Sequence, residues 1–170
     1  GTYHHPGHFS MEIPGHFSAE IYIYRQVTHD LRVGDQSLPA FRDLAPLGLV
    51  PALEADGQVI TQSMAILEWL DECYPAPRLL PDVALDRAVV RSMAAVIASD
   101  VHPLNNLRVL KYLRADLGAT DDAVQDWITR WTVAGFEALE AMVVQHGAGF
   151  CFGDTPTLAD CCLVPQIYNA

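Results

Sequence analysis

The chain has 170 residues, enough for one substantial core or for two small ones sharing an interface. Hydrophobic residues make up 51% and charged ones 18%, which excludes a disordered polymer, and no apolar run approaches the ~20 residues needed to span a bilayer. The formal charge of −11, from 21 acidic against 10 basic side chains, repels polyphosphates and argues against a nucleic-acid partner, while leaving room for a small anion in a locally basic pocket.

The first twenty residues differ from the rest. The pentapeptide PGHFS occurs at residues 6–10 and again at 14–18, and its prolines and glycines forbid a regular helix. His4, His5, His8 and His16 suggest a metal site only superficially; an atypical leader is the plainer account, and no metal is expected. A basic region followed by an apolar stretch is missing, so no secretory signal is expected and the chain reads as cytoplasmic. The four cysteines, Cys73, Cys151, Cys161 and Cys162, form no C-x-x-C pair and sit in apolar stretches, as reduced core thiols do.

From residue 21 the signals are ordinary. Residues 21–27 are β-branched and aromatic enough for a strand. Gly34-Asp35 marks a loop, and residues 38–44 can form a short helix. Residues 49–55 and 58–60 flank Asp56-Gly57, a strong hairpin signal. A helix is expected from about Gln62 to Cys73, with Met64, Ile66, Leu67, Trp69 and Leu70 on its apolar face and Pro75 ending it.

Residues 74–81 form a proline-rich connector and the best domain boundary. Beyond it the pattern is helical. Met93, Ile97, Val101 and Leu104 recur on one helix face, and Ile128, Trp131, Gly135, Leu139 and Met142 repeat the pattern in a second long helix. Pro103 requires the first of these to kink or begin anew. Thr157-Leu-Ala-Asp160 resembles a capping box with Asp in place of Glu, where Thr157 would accept from an orphan amide. The chain stops at Asn169-Ala170 without a helix-stop signal, so it is expected to be incomplete at both ends.

Four blocks carry a resemblance: Leu47-Gly-Leu-Val-Pro-Ala-Leu53, Gln62-Ser-Met-Ala-Ile66, His102-Pro-Leu-Asn-Asn-Leu-Arg-Val-Leu110 and Gly153-Asp-Thr-Pro-Thr-Leu-Ala-Asp-Cys-Cys-Leu-Val-Pro-Gln166. The first two resemble glutathione transferases generally, and the last two, together with Gly34-Asp-Gln36, resemble their zeta, or maleylacetoacetate/maleylpyruvate isomerase, branch; the likeness covers residues 21–170. The resemblance implies an α/β thioredoxin-like N-terminal domain (1–78) that binds glutathione, plus an all-α C-terminal domain (79–170) that binds substrate. It also implies a homodimer and a place in aromatic compound catabolism. The implied activity is glutathione-dependent cis–trans isomerisation of a maleyl-type dicarboxylate. The alternatives are a general glutathione transferase or haloacid dehalogenase, and a non-catalytic binding module.

Each block has a physical side. Val50-Pro51 before a strand suits a cis peptide or a plain edge-strand proline; in the family, the backbone of Val50 pairs with glutathione as an added strand. Gln62-Ser63 at a helix start gathers amide donors, a hydroxyl and the positive dipole end, suited to the γ-glutamyl carboxylate, though Ser63 could simply cap its helix. By resemblance Gln36, His102 and Asn106 contact glutathione, while Arg108 and Asn105 face the substrate carboxylate, where arginine's fork suits the geometry. The pairs His102/Asn106 and Asn105/Arg108 have the spacing of shared helix faces. The family's thiol-activating serine pair would fall near His5 and Pro6, so no catalytic residue is assigned, and Ser10 and Ser18 receive no role.

Overall fold

The computed structural model describes residues 24–169. In order, it has a 3₁₀ turn (Asp35–Ser37), helix α1 (Pro39–Arg42), strands β1 (Ala52–Ala55) and β2 (Gln58–Thr61), and helices α2 (Ser63–Cys73) and α3 (Ala84–Ala95). A π-helical turn (Val96–Val101), α4 (Leu107–Ala115), α5 (Asp121–His146) and α6 (Leu158–Asn169) follow. The PGHFS repeat, His4, His5, His8 and His16, and residues 21–23 of the expected first strand lie outside the described residues.

The expected strand over 21–27 is not present in its described part. Residues 24–27 join no ladder, and Tyr24 and Val27 are exposed. Strand propensity expresses packing on a half-buried pleated surface, and these side chains pack on nothing described. The hairpin does form. β1 and β2 pair antiparallel, with Ala52 opposite Thr61 and Ala55 opposite Gln58. Asp56 and Gly57 both take positive φ, 50° and 75°, which a two-residue turn matched to strand twist requires. The Val50-Pro51 bond is cis, and so is Ala76-Pro77.

Helix α2 begins one residue after the expected start and ends at Cys73, two residues before Pro75. Irregular chain then runs from Tyr74 to Val83. The buried Asp71 carboxylate holds it against α2, accepting from the Leu79 and Leu80 amides. Arg91 on α3 reaches Glu68 on α2 at 2.7 Å, further tying the two halves together.

The main core belongs to the helical half. Leu80, Val90, Met93, Ala94, Ile97, Val101, Leu139, Cys151, Leu158 and Ala159 form one buried cluster, with Met64 and Leu67 of α2 packed on it. Each fully buried large aliphatic side chain there stabilises the fold by about 1.5–3 kcal/mol. A smaller group, Phe41, Ala45 and Ile66, is buried in the N-terminal half, with the His29 ring edge-on to Phe41 at 4.6 Å. Met93, Ile97 and Val101 share a buried face as expected, whereas Leu104 is half-buried in the turn beyond the helix. The helix carrying them widens into the π turn and then breaks at Pro103, and a new helix starts at Leu107.

In α5, Gly135 and Leu139 are buried as the pattern required, while Ile128, Trp131 and Met142 are half-buried. At the start of α6 the capping box forms differently from expectation. The Thr157 hydroxyl donates to Asp160 rather than accepting from a helix amide, and the Thr157 N–H donates to the same carboxylate. The core-thiol assignment also needs correction at Cys73, which is exposed at the last residue of α2; Cys151 is buried, and Cys161 and Cys162 are half-buried. Burial pushes the Cys151 thiol up to about 12, aided by its contact with Asp160, and pushes Cys162 up to about 11. Alkylation with iodoacetamide at mildly alkaline pH should therefore label Cys73 first and Cys151 last. Peptide mapping of a labelling time course checks the order; early loss of Cys151 would contradict this packing.

Candidate functional site

Two groups of the residues singled out from sequence are each assembled locally. The first surrounds the hairpin. Because Ala52 pairs with Thr61, Val50 and Pro51 run alongside Gln62 and Ser63 at the same end of the ladder. Val50 is exposed, and among the described residues neither its N–H nor its C=O makes a hydrogen bond. An unpaired donor and acceptor on one extended residue is an edge that a peptide-like ligand can join.

Gln62 beside it takes φ 73° and ψ 118°, an unusual conformation for a residue with a side chain. Neither it nor Ser63 caps α2 with a side-chain hydrogen bond. The first amides of α2 and the Ser63 hydroxyl therefore face solvent at the positive end of an eleven-residue helix, and both residues are exposed. A strained backbone kept at such a place is commonly tied to ligand binding.

Gln36 meets the segment that leads to Val50. Its backbone oxygen lies 2.9 Å from where a Cβ on Gly48 would sit, so Gly48, at φ 63°, lets the two loops meet closely. The Gln36 Oε1 is buried and has no partner among the described residues. Buried acceptors are seldom left so in native proteins, and a ligand N–H would satisfy this one.

The second group lies where the π turn leaves α3. His102 donates its backbone N–H to the Ile97 carbonyl five residues back at 2.8 Å, the bond that closes the π turn. Its ring Nδ1 lies 3.2 Å from Oε1 of the buried Gln166 on α6. The Asn105 side-chain amide donates to the buried Thr132 hydroxyl at 3.0 Å, and its Oδ1 is buried without a partner among the described residues. Thr132 takes one of the two N–H groups of that amide, and the second makes no hydrogen bond among the described residues. Asn106 caps α4, accepting from the Arg108 amide at 3.1 Å, and its NH₂ makes no hydrogen bond among the described residues. The Arg108 guanidinium is exposed and has no partner among the described residues.

Sequence spacing misjudged the faces here. Residues 102–106 form a turn, so His102 and Asn106 do not share a helix face, and Asn105 lies before α4 rather than one helical turn from Arg108. Pro103 is the cause, since it cannot donate to continue the ladder. Sequence reasoning also missed Gln166 and Thr132, polar residues buried at 5% and 8% exposure. For Gln166 the available signal was a lone amide in the apolar run Leu163-Val-Pro-Gln-Ile167. Among the described residues no hydrogen bond or ion pair joins the two groups; they are linked through α2, whose Met64 sulfur touches Cys162 on α6 at 3.6 Å.

An open strand edge beside an uncapped helix start can receive an anionic peptide-like ligand, and an exposed arginine with no partner among the described residues can receive a small acid. Comparison with known proteins agrees. Residues 21–73 match the family model for the glutathione S-transferase N-terminal domain. A maleylpyruvate isomerase from Ralstonia sp is 52% identical over 133 residues, which are 77% of this chain and 63% of that protein. A probable maleylacetoacetate isomerase from Vibrio cholerae is 45% identical over 152 residues, 88% of this chain and 70% of that protein. The crystal structure of maleylacetoacetate isomerase from Methylobacterium extorquens AM1 with bound malonate and GSH superposes with a TM-score of 0.78 at 36% identity, over 86% of this chain and 70% of that one. The chain belongs to the glutathione transferase family, in its maleylacetoacetate/maleylpyruvate isomerase branch. It spans about two thirds of the length of these curated relatives.

Proposed function

We propose that this chain is the glutathione-binding part and most of the substrate-binding part of a glutathione-dependent cis–trans isomerase acting on a maleyl-type dicarboxylate, maleylacetoacetate or maleylpyruvate, in aromatic compound catabolism. The observation that carries the proposal is the unpaired Val50 backbone lying against the uncapped start of α2. The site fits glutathione through the orphaned acceptor of Gln36 as well. The bound Methylobacterium relative supports both the cofactor and a dicarboxylate ligand. Residues 1–78 are assigned to glutathione, 79–170 to substrate together with the His102 and Asn106 contacts to glutathione, and by family resemblance the working form is a cytoplasmic homodimer.

Bound glutathione supplies a thiolate that adds to the activated double bond, so that the single bond formed can rotate before elimination. The protein's own residues bind and orient. The Val50 N–H and C=O take the cysteinyl backbone, and the α2 amides with the Ser63 hydroxyl and Gln62 take the γ-glutamyl carboxylate. Gln36, His102 and Asn106 hold the remaining polar groups. Arg108 anchors a substrate carboxylate, with its fork free to bind in bidentate fashion. The family position of the thiol-activating serines, near His5 and Pro6, lies outside the described residues, and no residue is assigned that role.

Turnover of maleylpyruvate and maleylacetoacetate by the full-length protein, with and without glutathione, tests the proposal. Isomerisation that requires glutathione without consuming it is expected. Glutathione binding with haloacid or other electrophile conjugation but no isomerisation would replace it with a transferase or dehalogenase. Binding without any turnover would leave a non-catalytic module. In an active enzyme, Arg108→Leu should lower kcat/KM for the dicarboxylate by about 10- to 100-fold, the worth of a charge-assisted pair. Stability should change by no more than about 0.5 kcal/mol, because Arg108 is exposed and unpaired among the described residues. An unchanged kcat/KM would remove Arg108 from the substrate site.

A further inference from the structure

The π turn and α6 together place one buried amide against the exposed histidine of the second group. His102 follows directly on the π turn Val96–Val101, whose extra residue per turn rotates the chain before Pro103 ends the helix. That rotation points the His102 ring at α6, where Gln166 lies one residue past the helix-interior Pro165. Gln166 is 5% exposed, and its Oε1 is 3.2 Å from His102 Nδ1 across 64 residues of sequence. An amide oxygen only accepts, so with Oε1 turned toward the ring it is Nδ1 that carries the proton in this pair. In the neutral ring Nε2 is then a bare acceptor; it makes no hydrogen bond among the described residues, and His102 is exposed.

We propose that Gln166 is a positioning residue that fixes the His102 imidazole in its Nδ1–H tautomer, so that the Nε2 lone pair accepts an amide N–H of glutathione. The inference rests on His102 being a glutathione contact, and it adds which tautomer serves there and what enforces it. A free histidine side chain favours the opposite tautomer, so the assignment depends on Gln166. A buried partner that orients a ring through its second nitrogen is the arrangement known for histidines that bind metals, here directed at an N–H donor. Gln166 itself touches no ligand; its effect passes through His102.

The test begins with the unmodified full-length protein. Two-bond ¹H–¹⁵N correlation spectra of [¹⁵N]histidine-labelled protein, at a pH where the rings are neutral, report which nitrogen of His102 is protonated; His102→Asn assigns the signal. Nδ1–H is expected, and Nε2–H overturns the inference without any variant having to fold. In Gln166→Met, of matched length and without the acceptor, the tautomer should revert and the glutathione Kd should rise roughly three- to tenfold. Gln166→Glu keeps an acceptor and should restore both; reversion of the tautomer with an unchanged Kd would overturn the coupling to glutathione. If His102→Ala leaves the glutathione Kd unchanged while wild-type His102 is the Nδ1–H tautomer, the fault lies in reading His102 as a contact. A wild-type Nε2–H signal with a weakened His102→Ala variant would instead reject Gln166's part alone.

Discussion

Replacing Asp160 by alanine should cost about 3–5 kcal/mol of stability, the sum of two stranded amides and a hydroxyl. One oxygen of its carboxylate accepts from the Cys151 amide at 2.9 Å; the other accepts from the Thr157 amide at 2.8 Å and its hydroxyl at 2.7 Å. Cys151 and Thr157 are each 4% exposed, so water cannot take over these donors in the variant. The carboxylate therefore pins the loop before α6 to the first turn of that helix, and Leu158 and Ala159 beside it belong to the main core.

Burial pushes the Asp160 carboxyl pKa up, but the hydrogen bonds from the Cys151 and Thr157 amides and the Thr157 hydroxyl outweigh it and hold it below the usual carboxylate range. With the folded pKa below the unfolded one, the stabilisation is fully present above the unfolded carboxyl pKa of about 4 and is lost as pH falls through the folded value. Chemical denaturation of wild type and Asp160→Asn across that range should show the largest gap at neutral pH, closing in acid. A gap independent of pH would mean that the ionised form does not matter.

How much was legible from the chain alone divides by kind of constraint. Signals that rest on local backbone chemistry were readable: Asp56-Gly57 made its turn, Pro75 was preceded by a helix end, and Pro103 broke a helix. The buried face of Met93, Ile97 and Val101 was readable because three residues at helical spacing need no knowledge of their partner. The π turn was not, because one extra residue in a helix leaves no mark on an apolar pattern. Nor was the failure of residues 24–27 to form a strand, since a strand is decided by its neighbours.

At the candidate site, the residue types were legible and their partners were not. Gln36, Val50, Gln62 and Ser63 were identifiable through motifs, yet the orphaned Gln36 oxygen and the positive φ of Gln62 emerge only from coordinates. Gln166 lies 64 residues from His102, and Thr132 lies 27 from Asn105; no periodicity links positions so far apart. The capping motif showed where α6 starts, while the direction of its hydroxyl hydrogen bond depended on the loop at Cys151, which a four-residue pattern does not contain.

Gly135→Val should be the most damaging single change among the core positions, because α5 crosses the π turn there with no room for a side chain. A Cβ on Gly135 would meet the Val101 Cγ2 at 2.1 Å, and Val101 is wholly buried. Alanine at this position gains about 1 kcal/mol in helix propensity over glycine, so any loss it causes is steric. Overpacking typically costs about 1–3 kcal/mol, and valine, with two further carbons aimed at the same contact, should reach or exceed the upper end. The π turn closes through His102, so displacing Val101 should also disturb the ring that faces Gln166. Urea denaturation should rank the variants wild type, Gly135→Ala, Gly135→Val. Pairing Gly135→Ala with Val101→Ala should recover part of the loss, since the second change removes the methyl that the first one strikes. Strictly additive losses in that pair would show that the two helices do not meet at this point.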